Sequence, residues 1–189
     1  KSSTCRYDFA LEHLNVLECY ATDAYGVEAT LREKAMRYWH LIALLEGIRE
    51  NRIEDNKQQH IAIAFDGGKH PFEDLQTLSW NTIALVSQFS PQLGVGAEVR
   101  ACLREFFLAM PLSPFKKRLQ AQVYMDCAFA SYQAGEYDAV IYYGGQSLLH
   151  DWRGCKNRGF LKMLVKSVWR GLGSMGRDAF LQDHEVICW

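Results

Sequence analysis

Ala121-Gln-Val-Tyr124-Met-Asp-Cys127-Ala128-Phe-Ala130-Ser-Tyr132-Gln-Ala-Gly135-Glu-Tyr137-Asp-Ala-Val140-Ile-Tyr-Tyr143-Gly-Gly-Gln-Ser147-Leu148 is the stretch on which the fold turns. Apolar residues recur in steps of three and four on both sides of Gly135. The spacing predicts a helix from Phe115 to Ala134, a turn at Gly135 and a helix from Tyr137 to His150. Two helices joined by so short a turn run antiparallel as a hairpin.

The same periodicity extends outward. Phe9, Ala10, Leu14 and Leu17 mark a helix over Tyr7 to Cys19, with Gly26 as a break after it. Leu31, Ala35, Tyr38, Ile42, Leu45 and Ile48 form an apolar stripe over Glu28 to Glu50. The polar run Asn51 to Gln59 follows. His60 to Phe65 is short and apolar, open to either helix or strand, and Asp66-Gly67-Gly68 forces a turn. His70-Pro71 starts an element running to about Phe89, because proline suits a helix's first turn. Ser90-Pro91 and Gly94 to Gly96 read as a loop, Ala97 to Met110 as helix, and Pro111 and Pro114 as its stop. Lys156 to Leu172 and Asp178 to Ile187 complete the series as two further helices. Strand-like alternation is almost absent, which predicts an all-α fold of about eight helices.

A second regularity overlies the first. Trp39-His-Leu-Ile42-Ala43, Trp80-Asn-Thr-Ile83-Ala84, Tyr124-Met-Asp-Cys127-Ala128 and Trp169-Arg-Gly-Leu172-Gly173 each place an aromatic, two free residues, an apolar residue and a small one in order. Their starts lie 41, 44 and 45 residues apart, the range of helical-repeat arrays. On a helix the aromatic and the apolar residue share a face, and the small residue leaves room for a neighbouring helix. Each aromatic is therefore expected to insert against an adjoining hairpin. A chain with 13% aromatic residues also produces such strings by chance.

The opening stretch resembles one unit of the tetratricopeptide repeat family. The resemblance is carried by the bulky Tyr124, the small Ala128, Tyr132, Gly135 before Tyr137, and Leu148. Val140 stands where the family usually has alanine, and Gly144 and Ser147 where an aromatic and an alanine are common. The resemblance implies a right-handed α-solenoid of antiparallel hairpins that binds a peptide or helix of another protein in a concave groove and catalyses nothing. In such arrays the first helix of each unit lines the groove, which points to His40, Asn81, Met125 and Arg170 as contacts. One subset of the family grips a carboxylate-ended peptide with Lys and Asn just after the opening aromatic. His40 and Leu44, and Asn81 and Leu85, hold those places here, so that clamp is not reproduced.

Arg158, Lys162, Lys166 and Arg170 recur every four residues and share one side of a helix. They form a candidate docking stripe for an acidic partner or a phosphate backbone. A solvated face opposite a buried one is the favoured explanation of them, on the general ground that charge sits on surfaces. The buried face is expected to be Leu161, Leu164, Val165, Val168 and Leu172. Lys116-Lys117-Arg118 extends the patch if it is exposed. Tyr124, Tyr132 and Tyr137 are candidates to present hydroxyls to a groove.

Catalytic and metal chemistry find little footing. His60 and His70 flank Asp66-Gly67-Gly68-Lys69, but no further ligands stand at fixed spacing, so neither metal nor cofactor is expected. His150 and Cys155 straddle a glycine-containing break and make no triad signature. With 21 basic and 22 acidic residues the net charge is −1, so no global field draws in nucleic acid or an acidic membrane. No apolar run approaches a membrane span. Six cysteines without a Cys-x-x-Cys pair, several at core-like places, read as mostly buried free thiols of an intracellular protein. The start at Lys1 suggests a piece of a longer protein, and residues 1–189 read as one repeat domain. The leading expectation is a scaffold for another protein. Its rival is a regulatory or ligand-sensing domain that controls an enzyme or DNA-binding part of the same chain. The partner's identity and the oligomeric state are beyond the sequence.

Overall fold

The computed structural model describes residues 6–20, 29–52, 56–65, 70–87 and 97–184, with side chains described up to Gly171. Those residues form eight α-helices and no strand. They are α1 (Arg6–Tyr20), α2 (Ala29–Glu50), α3 (Lys57–Ala64), α4 (Leu75–Ser87), α5 (Ala97–Ala109), α6 (Pro114–Ala134), α7 (Tyr137–His150) and α8 (Arg158–His184), with a 3-10 turn over Trp152–Lys156. The expected breaks at Gly26 and at Asp66 to Gly68, and the loop from Ser90 to Gly96, lie outside the described residues. The chain divides into two compact units, residues 1–91 with 96–119 and residues 92–95 with 120–189.

In the first unit α2 is the hub, with α1, α3, α4 and α5 packed on it. That explains why its buried set departs from the expected stripe. Arg37, His40, Leu41 and all of Ala43 to Gly47 are buried, whereas Leu31 is 61% exposed. A helix enclosed by several neighbours is buried almost all round, not along one stripe. Leu41, Leu44, Leu78, Leu103 and Phe106 make the solvent-free centre. Asp8 pairs with Arg52 at 3.0 Å and ties the start of α1 to the end of α2. The ambiguous segment at His60 is helical. Helix α4 starts at Leu75 and not at Pro71, because the Asp74 carboxylate accepts from the Thr77 amide at 2.7 Å and caps it there. These hydrogen bonds hold the Asp74 carboxyl below its usual range.

In the second unit α6 and α7 form the expected hairpin. Gly135 sits at φ 79°, and the amides of Gly135 and Glu136 donate to the carbonyls of Tyr132 and Ser131. That left-handed residue closing the helix end is what glycine supplies at no steric cost. The Ser147 hydroxyl donates to the Ala121 carbonyl at 2.8 Å across the hairpin, and Tyr124 stacks on Tyr143 and His150. Helix α8 returns along α7. It begins where the Asn157 side chain accepts from the Phe160 amide, and it continues to His184 as one helix in place of the two expected.

The echo does not translate into equivalent packing. Tyr124 is 8% exposed, but Trp80 is 50% and Trp169 79% exposed. Trp39 is half-buried against His13 and Phe9. Helix α4 turns Leu78, Thr82, Ile83, Leu85 and Val86 inward, and this registration leaves Trp80 and Ala84 outside. On α8 the inward face is Phe160, Met163 and Ser167 with half-buried Leu164, so Val165 and Val168, expected in the core, are exposed. No helix among the described residues is long and apolar enough to cross a membrane.

Candidate functional site

Helix α6 carries Phe129, Tyr132 and Gln133 on one face, and α8 carries Gly159, Lys162, Met163 and Lys166 on one face, each set at helical three- and four-residue steps. The two faces enclose a cleft of about 460 Å³ within the second unit. Met163 forms its buried floor. Phe129 packs its ring 5.9 Å from that of buried Phe160 and so fixes one wall. Gly159 contributes no side chain, which keeps the space open at the start of α8.

Lys162 and Lys166 stand exposed on the rim, and neither makes an ion pair among the described residues. Beside them Tyr132 meets Tyr137 edge-on at 6.1 Å. The Arg170 guanidinium lies 5.1 Å over the Tyr137 ring and donates to its hydroxyl. Arg170 is thus held against an aromatic face. The arrangement is an apolar and aromatic trough with two positive charges along one edge. It can seat an apolar side chain and attract carboxylates, and it contains no nucleophile poised beside a base.

The four-cation stripe is therefore divided. Lys162 and Lys166 face the cleft, Arg170 is engaged with Tyr137, and Arg158 is exposed in the first turn of α8 outside the cleft lining. Met125 is half-buried on α6, one turn before Phe129. Asn81, in the first unit, donates its amide to the Thr77 carbonyl at 2.8 Å. His40 must be withdrawn as a surface contact. It is 3% exposed and its Nδ1 lies 2.8 Å from His60 Nδ1. Lys116 does not extend the basic patch either, because it is buried with Nζ donating to the Met110 carbonyl at 2.8 Å. Tyr124 presents no hydroxyl to a groove. Burial pushes its pKa up to about 12.

Phe129, Gln133, Gly159 and Met163 were not singled out from sequence. Their signal was present, since Phe129 and Tyr132 lie three apart and so share the face that holds Met125. Nothing local said that this face would meet Lys162.

The His40–His60 pair is the other concentration of polar chemistry, in the first unit. The Nε2 atoms of both rings are buried without a hydrogen-bond partner. Burial lowers the pKa of both, and His60, which also feels His40, falls to about 4. Among the described residues no three His, Cys, Asp or Glu side chains converge as a metal site would need. Comparison with protein-family models, with curated proteins and with solved structures returns no match, so the functional reading rests on the geometry of the α6–α8 cleft.

Proposed function

We propose that the protein is a non-catalytic interaction module whose α6–α8 cleft receives part of a peptide or helix of a partner protein. The carrying observation is the cleft itself: Phe129, Tyr132 and Met163 present apolar surface between helices, beside two lysines that no described carboxylate neutralises. Apolar pockets with a few polar groups at the edge are the usual form of a recognition site. Helix α6 is the first helix of the α6–α7 hairpin, and the first helix of a unit is the position that lines the concave groove in the tetratricopeptide repeat family this region resembles.

Selection from a random peptide library on the intact chain tests the reading. Peptides enriched on the native protein should lose binding to Gln133→Trp, which fills the cleft from an exposed position, while its melting temperature stays within about 2 °C of the parent's. Enrichment indifferent to Gln133→Trp would remove the cleft as the binding site.

A further inference from the structure

We infer that the cleft selects an acidic segment bearing one bulky apolar side chain, with Phe129, Tyr132 and Met163 seating the anchor and Lys162 and Lys166 reading the carboxylates. This rests on the cleft being the partner site. A volume of about 460 Å³ is that of a pocket for a compact group. A helix about 10 Å across is too wide to enter it. The partner's backbone therefore stays on the rim and a side chain goes in.

The rim then decides what flanks that side chain. Lys162 and Lys166 are four residues apart on one helix, so their stems rise about 6 Å apart along its axis. Carboxylates two residues apart in an extended segment repeat at about 6.6 Å on one side, which matches. Lysine reads charge without demanding a bidentate geometry, so aspartate and glutamate serve alike. The reader has two cations and not four. Arg170 is bound to Tyr137 by a hydrogen bond and by its ring face, and Arg158 lies outside the lining. Two lysines are also too few for a nucleic acid, whose binders commonly neutralise a longer track of phosphates.

The test uses the intact chain with ¹³C-methyl methionine and three capped peptides built on a central Phe or Leu, with flanks of Asp/Glu, Asn/Gln or Lys. The Met163 methyl resonance reports where a peptide binds, and fluorescence anisotropy reports how tightly. The acidic peptide should shift Met163 and bind about tenfold more tightly than the neutral one, with the advantage shrinking as salt is added. The basic peptide should not bind. Lys162→Gln with Lys166→Gln should lower the acidic affinity to the neutral level at unchanged melting temperature, and Arg158→Gln should leave it unaltered. If acidic and neutral peptides shift Met163 with equal affinity, the charge selection is overturned and the partner-site reading stands. If no peptide moves Met163, both are overturned.

Discussion

Leu164 of α8 occupies the space that a side chain on Gly144 of α7 would need. A Cβ built on Gly144 falls far inside contact with Leu164 Cδ2 and lies 3.1 Å from its Cγ. Glycine is thus what lets the two helices close together, and it explains why an aromatic is missing at this position. Gly144→Ala should lower stability by about 1–2 kcal/mol, since overpacking costs about 1–3 kcal/mol and the helix gains up to about 1 kcal/mol from alanine. Gly145, with nothing within 4 Å of its added Cβ, supplies the control: Gly145→Ala should stabilise by about 1 kcal/mol. Thermal melts read both, and a stabilised Gly144→Ala would show that the helices do not approach as found.

The His40–His60 contact carries a pH dependence. Between two neutral rings one Nδ1 donates and the other accepts, and a proton added to either ring would sit in a buried, poorly hydrogen-bonded place. Both folded pKa values lie below the ordinary value near 6.5, that of His60 at about 4. The unfolded chain therefore takes up protons that the folded one refuses. Stability is full above about pH 6.5 and declines as the pH falls towards 4. The melting temperature should drop by about 3–6 °C from pH 7 to pH 5. The double variant His40→Leu, His60→Leu should flatten most of that slope. Half-buried His70, whose pKa is also lowered, chiefly by desolvation, contributes to the remainder. A slope that persists undiminished in the double variant would place the acid sensitivity elsewhere.

The thiols divide by environment, and only half of the four described ones follow the expectation of burial. Cys102 and Cys127 are buried, and burial pushes the first up to about 11 and the second higher still. Cys19 and Cys155 are exposed; Cys5 and Cys188 lie outside the described residues. Since the thiolate is the reactive form, brief alkylation of the native protein at pH 8 should label Cys19 and Cys155 and spare Cys102 and Cys127 until denaturant is added. Peptide mapping by mass spectrometry distinguishes them. Labelling of Cys127 at the rate of Cys155 would contradict the packing of α6.

What the sequence by itself determined is the helical content and most of the boundaries. The helix expected from Tyr137 to His150 is observed with those bounds, the one expected from Phe115 to Ala134 begins one residue earlier, and the turn at Gly135 takes the positive φ that a glycine there permits. Caps, breakers and three- and four-residue periodicity act within one turn of the chain, so they can be read locally. Even there Asp74 prevailed over Pro71 as the start of α4, because a carboxylate accepting backbone amides is a stronger cap than a favourable proline position.

Only the tertiary structure decided which faces are covered. Trp80 and Trp169 match Tyr124 in their local pattern yet lie outside, Val165 and Val168 are apolar yet exposed, and His40 pairs with a ring 20 residues away. The cleft likewise exists only because a face of α6 meets a face of α8 that begins 24 residues beyond α6's last residue. Helix formation depends on hydrogen bonds to near neighbours along the chain. Burial depends on which helices pack beside a given one, and the residues on both sides settle that together.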